Sequence, residues 1–145
     1  MNNPIRSGPS GGVGGSAFDD PPPQAFARVR EVRIWSGISV EALQLIHSCE
    51  GEIVEQPKRG QSTAGFSILK LDPGEYIMEI SGRYSSYIDQ LEIRTNKGVI
   101  KRYGSAIGLH DFQYQAPENY QIIGFWGRAA RLIDAIGVYY SPLDN

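Results

Sequence analysis

The chain has 145 residues, 41% hydrophobic and 21% charged, with a net charge of -2. This suits one globular domain with a single core, and the slightly acidic balance, without any basic run, excludes a general electrostatic grip on nucleic acid. Glycine (17), proline (9) and tyrosine (8) against two methionines favour many short strands joined by tight turns over a helical bundle.

Residues 1–10 are polar, hold Pro4 and Pro9 and show no periodicity, which predicts a flexible leader before a domain spanning 11–145. The start lacks the apolar core of a signal peptide, and nowhere do about 18 apolar residues run together. For a complete chain the expectation is a cytoplasmic location without membrane insertion; a fragment of a longer precursor would be secreted. Gly11-Gly12-Val13-Gly14-Gly15 follows, either a flexible linker or a loop whose glycines let a ligand approach the backbone. Ser16-Ala17-Phe18-Asp19-Asp20 adds an apolar anchor and two turn acids, which favours a loop pinned to a folded body.

Pro21–Pro23 cannot sit inside a sheet, so the first strand is placed at Phe26–Trp35, with Val32 and Ile34 opposite Arg33 and Trp35. Ile38–Ser48 reads as a strand in preference to a marginal short helix. A short strand at Glu52–Glu55 follows the Gly51 turn, and 57–65 is a polar loop with Lys58 and Arg59. Phe66–Leu71 ends at Asp72-Pro73-Gly74, a strong turn signal. Glu75–Ser81 is a strand, Gly82–Ser86 a loop, and Tyr87–Thr95 an alternating strand that turns at Asn96-Lys97-Gly98. Strands at Val99–Tyr103 and Leu109–Tyr114 lead to the terminal pair, Ile122–Trp126 and Leu132–Tyr140, around a turn at Gly127–Arg131.

The second of these carries a carboxylate, Asp134, close to its start. An unpaired carboxylate is costly to desolvate, so either turn amides satisfy it or a ligand does. The same pattern stands 45 residues earlier, where GRYSSYIDQLEI (82–93) and GRAARLIDAIGV (127–138) share Gly, Arg, Ile and Asp at identical offsets. Such a recurrence points to an internally repeated β architecture. A third copy is sought in ARVREVRIWSG (27–37), with Arg30 where the others have Asp89 and Asp134.

Catalysis has little to work with. His47 and Cys49 point the same way on one strand, but no third orienting residue accompanies them. Asp19-Asp20 and Glu50/Glu52 read as solvated turn acids rather than the paired acids of a glycosidase. The single cysteine excludes an intrachain disulfide, and His47 and His110 have no metal-ligand spacing. No enzyme activity, metal or cofactor is expected.

The glycine loop before SAFDD, the stretch EYIMEISG leading into a Tyr-containing loop and LEIRTNKG, and the terminal GFWGRAARLIDAIGVYY together resemble the jacalin-related lectins of mannose-binding type, over roughly residues 11–141. The resemblance implies an all-β fold, the β-prism I, in which three Greek-key sheets of about four strands surround a pseudo-threefold axis. It also implies a sugar site between the glycine loop and a GxxxD turn. Gly15, Arg131 and Leu132 would offer backbone amides, Asp134 would accept two neighbouring sugar hydroxyls, and Tyr84 would lie against the apolar face of the ring. Ala130 stands where the pattern has Gly; if the position needs φ > 0, the change costs on the order of 1 kcal/mol.

Some relatives carry further sites, which here would use Tyr87 and Asp89 with Gly104 and Ser105, while the third copy, with Arg30, would be silent. Mannose or glucose is preferred to galactose, because galactose preference in the family accompanies a cleavage that frees the glycine amino group. The expected partners are glycans or glycoproteins, with a homodimer as one source of avidity. The alternative is an interaction module docking on anionic glycans, lipid headgroups or a protein through Lys58, Arg59, Arg83, Arg128 and Arg131.

Overall fold

A computed structural model describes residues 5–143. Among them thirteen strands follow one another without a helix: β1 (Ile5–Gly11), β2 (Ser16–Asp20), β3 (Arg28–Ser36), β4 (Val40–Cys49), β5 (Glu52–Glu55), β6 (Arg59–Gly60), β7 (Phe66–Lys70), β8 (Ile77–Tyr84), β9 (Ile88–Thr95), β10 (Ile100–Gly104), β11 (His110–Gln115), β12 (Tyr120–Ala129) and β13 (Ile133–Pro142).

The strands form three antiparallel units, each built on one central hairpin. In the first, β3–β4 is flanked by β7 and β5, with the short β6 also on β4. In the second, β8–β9 is flanked by β11 and β10. In the third, β12–β13 is flanked by β2 and β1, so its outer strands come from the start of the chain and its hairpin from the end. Units two and three meet where Ile122 pairs with Ile77. This is the β-prism of three Greek keys, and the apolar sides of the hairpins supply its core. Val32 and Ile34 come from the first unit, Ile80, Leu91 and Ile93 from the second, and Ile122, Phe125 and Ile136 from the third, all buried. Full burial of each such side chain contributes roughly 1.5–3 kcal/mol. Local turn chemistry fits the register: Glu50 (φ 51°) and Gly51 (φ 84°) are both left-handed, as a two-residue hairpin turn between β4 and β5 requires.

The expected flexible leader is overturned for its described part. Residues 5–11 are β1, paired with β13 through Ile5↔Tyr140, Arg6↔Tyr139 and Ser7↔Val138. The Arg6 guanidinium lies 3.7 Å from the Trp126 ring centroid, and the Trp126 indole donates to Ser7 O at 3.0 Å. An edge strand tolerates Pro9 because the register shifts between Ser7 and Ser10. Residues 1–4 of that leader, and residues 144–145 of the domain, lie outside the described residues. Asp19 and Asp20 are likewise not turn acids but part of β2. Buried Asp20 is ion-paired with Arg59 at 2.6 Å, and Asp19 accepts the Tyr139 hydroxyl. The loop expected from Gly82 is strand up to Tyr84, and β12 runs on to Ala129.

His47, on β4, ties units one and three together: Nε2 donates to Ile123 O at 2.7 Å and Nδ1 accepts from the Gln56 amide at 3.2 Å. Burial pushes its pKa below the usual 6.5, outweighing the Ile123 hydrogen bond and the Asp20 charge. The folded state thus takes up fewer protons than the unfolded chain, so stability is complete above pH 6.5 and declines as pH falls below it. Between pH 7 and 5 the melting temperature of the chain should drop more steeply than that of a His47→Gln variant, measured by circular dichroism.

Candidate functional site

The three hairpins end in turns of the same length. Ser36↔Val40, Tyr84↔Ile88 and Ala129↔Ile133 are the last pairs of β3–β4, β8–β9 and β12–β13, which leaves Gly37-Ile38-Ser39, Ser85-Ser86-Tyr87 and Ala130-Arg131-Leu132 as the turns. After each comes a fully buried aliphatic residue (Val40, Ile88, Ile133), and then an acid on the opposite side of the strand: Glu41, Asp89, Asp134. The third copy of the repeat is therefore Gly37–Glu41, not the segment around Arg30. Arg30 sits in β3 at a register shift, with its carbonyl bonded to the Leu71 amide at 3.0 Å. The copy is hidden in the sequence because its glycine and its longer acid break the match, although the turn geometry is the same.

A glycine from another loop lies against each acid's main chain. Gly60, Gly104 and Gly11 all have positive φ (85°, 83° and 138°), and a Cβ on any of them would overlap the carbonyl of Glu41, Asp89 or Asp134 respectively. Each of these loops also reaches the turn of a neighbouring unit. The Gln61 amide donates to Arg131 O at 3.1 Å, the Ser105 hydroxyl donates to Ile38 O at 2.7 Å, and Gly12 packs on the Ser86 carbonyl. The three turns and three loops thereby close a ring at one end of the prism.

Within that ring Asp134 is singular. Only 5% exposed, it has the one buried side-chain oxygen, Oδ1, without a hydrogen-bond partner among the described residues. The Gly12 amide donates to its main-chain carbonyl at 2.8 Å, which seats the glycine loop on it. The loop passes so close that a Cβ on Gly15 would stand 2.7 Å from Oδ1, and one on Gly14 would stand 2.8 Å from Oδ2. A hollow of about 500 Å³ opens here, lined by Gly14, Gly15, Tyr87, Ala130, Arg131, Leu132 and Asp134. A second depression of about 320 Å³ adjoins it between Gly12–Gly14 and Ser85–Tyr87. Burial pushes the Asp134 pKa up, against the Arg128 charge and the Ala130 amide. That amide also donates to Leu132 O at 3.0 Å, and Oδ1 has no partner among the described residues. Ala130 carries no left-handed strain, since the only non-glycine residues of positive φ among the described residues are Phe26, Glu50 and Asn119.

The structure thus brings Gly15, Ala130, Arg131, Leu132 and Asp134 together, and excludes Tyr84 from their company. Tyr84 ends β8, packed against His110 and Phe112 at centroid distances of 5.2 and 6.4 Å. The aromatic ring at the hollow is Tyr87, 41% exposed, three residues on in the turn. The second site expected at Tyr87, Asp89, Gly104 and Ser105 is closed. Asp89 Oδ1 accepts the Ser39 hydroxyl and Oδ2 the Ser85 hydroxyl, both at 2.9 Å. Gly104 is pressed on its carbonyl, the Ser105 amide donates to that carbonyl at 2.8 Å, and the Ser105 hydroxyl is committed to Ile38.

Four of the five loop cations are also engaged. Lys58 donates to Ser62 O at 2.6 Å and lies over Trp35, Arg59 pairs with Asp20, and Arg83 donates to Gly108 O at 2.9 Å and pairs with Asp111. Arg128 donates to Gly14 O at 2.9 Å and Gly15 O at 2.7 Å. Arg83 and Arg128 share an offset within the repeat, and the sequence ties it only to the repeated architecture. That offset was the signal, for each side chain pins a glycine of the loop beside its own unit's acid. His47 is sealed in the core and Cys49 is buried.

The fold and the hollow define a ligand-binding β-prism. Residues 7–139 match the jacalin-like lectin domain. Horcolin of Hordeum vulgare is 32% identical, over 98% of this chain and 100% of its own length. The solved structure of a Malaysian banana lectin superposes with a TM-score of 0.85 at 32% identity, covering 97% of this chain and 99% of that one. A mannose-specific jacalin-related lectin from Morus nigra, solved in complex with mannose, gives a TM-score of 0.85 at 28% identity, covering 97% and 96%. The chain belongs to the jacalin-like lectin family.

The contrast between the two aspartates predicts opposite costs. Asp89→Asn or Ser39→Ala breaks a satisfied buried pair and should lower stability by about 1–3 kcal/mol. Asp134→Asn removes a charge that burial already disfavours and should leave the denaturation midpoint at neutral pH unchanged or higher. Urea titration of the three variants measures both.

Proposed function

We propose that the chain is a non-catalytic lectin that holds a mannose- or glucose-type sugar in the Asp134 hollow. The observation that carries this is the Asp134 carboxylate, which keeps one oxygen unpaired and lines the hollow together with the backbone of Gly14–Gly15 and the turn 130–132. A carboxylate accepts two hydroxyls on adjacent carbons, and charged acceptors make hydrogen bonds about twice as strong as neutral ones. Backbone amides of Gly15, Arg131 and Leu132 donate to ring or hydroxyl oxygens, and Tyr87 offers an aromatic face at the rim. A mannose complex among the solved neighbours supports the mannose or glucose preference. The absence of a catalytic role is supported by the burial of His47 and Cys49, the only histidine and thiol that share a strand. With Asp89 closed, multivalency rests on association of chains, and a homodimer is the simplest form.

Docking on an anionic surface is the weaker reading, because Lys58, Arg59, Arg83 and Arg128 already hold partners within the chain. Calorimetric titration with methyl α-mannoside separates the two. Sugar binding should vanish in Asp134→Asn, persist in Asp89→Asn and barely change with added salt. Binding that survives Asp134→Asn, or that fades with salt as charge-driven docking does, would sink the sugar reading. Affinity should also be complete at neutral pH and fall on acidification at a pH above 3.8, the ordinary carboxylate value, because protonation of Asp134 with its raised pKa removes the charged acceptor.

A further inference from the structure

The hollow has one wall made of the most flexible residue type. Four of the five residues 11–15 are glycine, and such a segment loses more conformational freedom on ordering than any other. Two things hold it. The Gly12 amide reaches Asp134 O, which fixes the start of the loop. The far end, where Gly14 and Gly15 face the carboxylate, is held by one side chain: Arg128 Nε donates to Gly14 O at 2.9 Å and Nη2 to Gly15 O at 2.7 Å. Arg128 is in turn fixed by its strand, paired with Ala17 on one side and Ala135 on the other. Both neighbours are backbone extensions of the site itself, since Ala17 follows the loop and Ala135 follows Asp134. The guanidinium fork thus ties the loop to β12, the partner strand of β13 on which Asp134 stands.

We propose that Arg128 is the positioning residue of the sugar site, clamping the carbonyls of Gly14 and Gly15 so that the loop backbone stays against the vacant oxygen of Asp134. This rests on the sugar reading of the hollow but is separable from it. With both carbonyls turned onto the guanidinium, the sugar meets a loop already ordered, and the entropy of ordering is not charged to binding. The planar fork matters as well as the charge, because two adjacent carbonyls are met by two nitrogens of one group, which a lysine cannot do. A second consequence concerns charge. Arg128 is the cation whose field favours ionised Asp134 against burial, so the same side chain links loop order to the acid limit of binding. Arg83 has the matching place in unit two, gripping Gly108 beside the closed Asp89, and serves as the control.

The test uses the full chain with Arg128→Gln, Arg128→Lys and Arg83→Gln, after melting curves establish that each folds. Titration with methyl α-mannoside across pH should show about a tenfold or greater loss of affinity in Arg128→Gln, the size expected for charge-assisted hydrogen bonds. Its acid threshold for binding should move up. Arg128→Lys should keep the wild-type acid threshold while recovering only part of the affinity, and Arg83→Gln should bind as wild type. Amide hydrogen exchange of residues 11–16 in the sugar-free chain should quicken in Arg128→Gln. Affinity equal to wild type in Arg128→Gln overturns the proposal, as does a weakened affinity with unchanged acid threshold and unchanged loop exchange. If the wild type binds no mannoside, the sugar reading fails, and loop exchange alone then decides the clamp: quickened exchange upholds it and unchanged exchange ends it.

Discussion

A carboxylate oxygen that the chain leaves unpaired, yet withholds from bulk water, is the constraint around which the third unit is arranged. Ordinarily such a group is either solvated or satisfied from within, because an unpaired buried acceptor destabilises the fold. Asp134 is held in this state by β13, whose buried Ile133 and Ile136 fix the strand, and by a glycine loop pressed so near that no side chain fits between. The destabilisation is borne by a core drawn from all three units, and what remains is a desolvated acceptor facing the glycine loop.

The near-repetition of the structure explains why this happens once. All three units present the same three-residue turn, the same buried aliphatic residue and an acid after it, and all three acids have a positive-φ glycine on their main chain. What differs is exposure and filling: Glu41 is only half-buried, while Asp89 and Asp134 are buried. At Asp89 two serine hydroxyls take both carboxylate oxygens, whereas Oδ1 of Asp134 has no partner among the described residues. One of them, Ser39, belongs to the turn of the first unit, so the contact that shuts the second unit's acid is also one of those that close the ring of loops. Backbone symmetry therefore carries the fold, while side chains of two or three atoms decide between a structural acid and a vacant one.

Much of the fold could be read along the chain. Alternation in Phe26–Trp35 and Tyr87–Thr95, which the structure trims to Arg28–Ser36 and Ile88–Thr95, the Asp72-Pro73-Gly74 turn and the recurrence of Gly, Arg, Ile and Asp all follow from local chemistry. The expectations that failed share a cause. β1 looks like a polar leader because its partner, β13, lies at the other end of the chain. Arg30 falls in line with the acids along the sequence because the turn at Gly37 is defined only by the register of β3 on β4. Tyr84 reads as a loop residue along the chain, but one more pair in β8 carries it outside the turn and leaves Tyr87 within.

By itself, then, the sequence determined an all-β domain with internal repeats and an acid at the head of its last strand, since strand periodicity and turn preference are set by residues a few positions apart. Which acid stays vacant was decided only by tertiary contacts over long separations. Ser39 reaches Asp89 across 50 positions and Arg128 reaches Gly14 across 114. A hydroxyl or guanidinium makes its bond wherever the folded backbone happens to deliver it, and that delivery is a property of three units packed together.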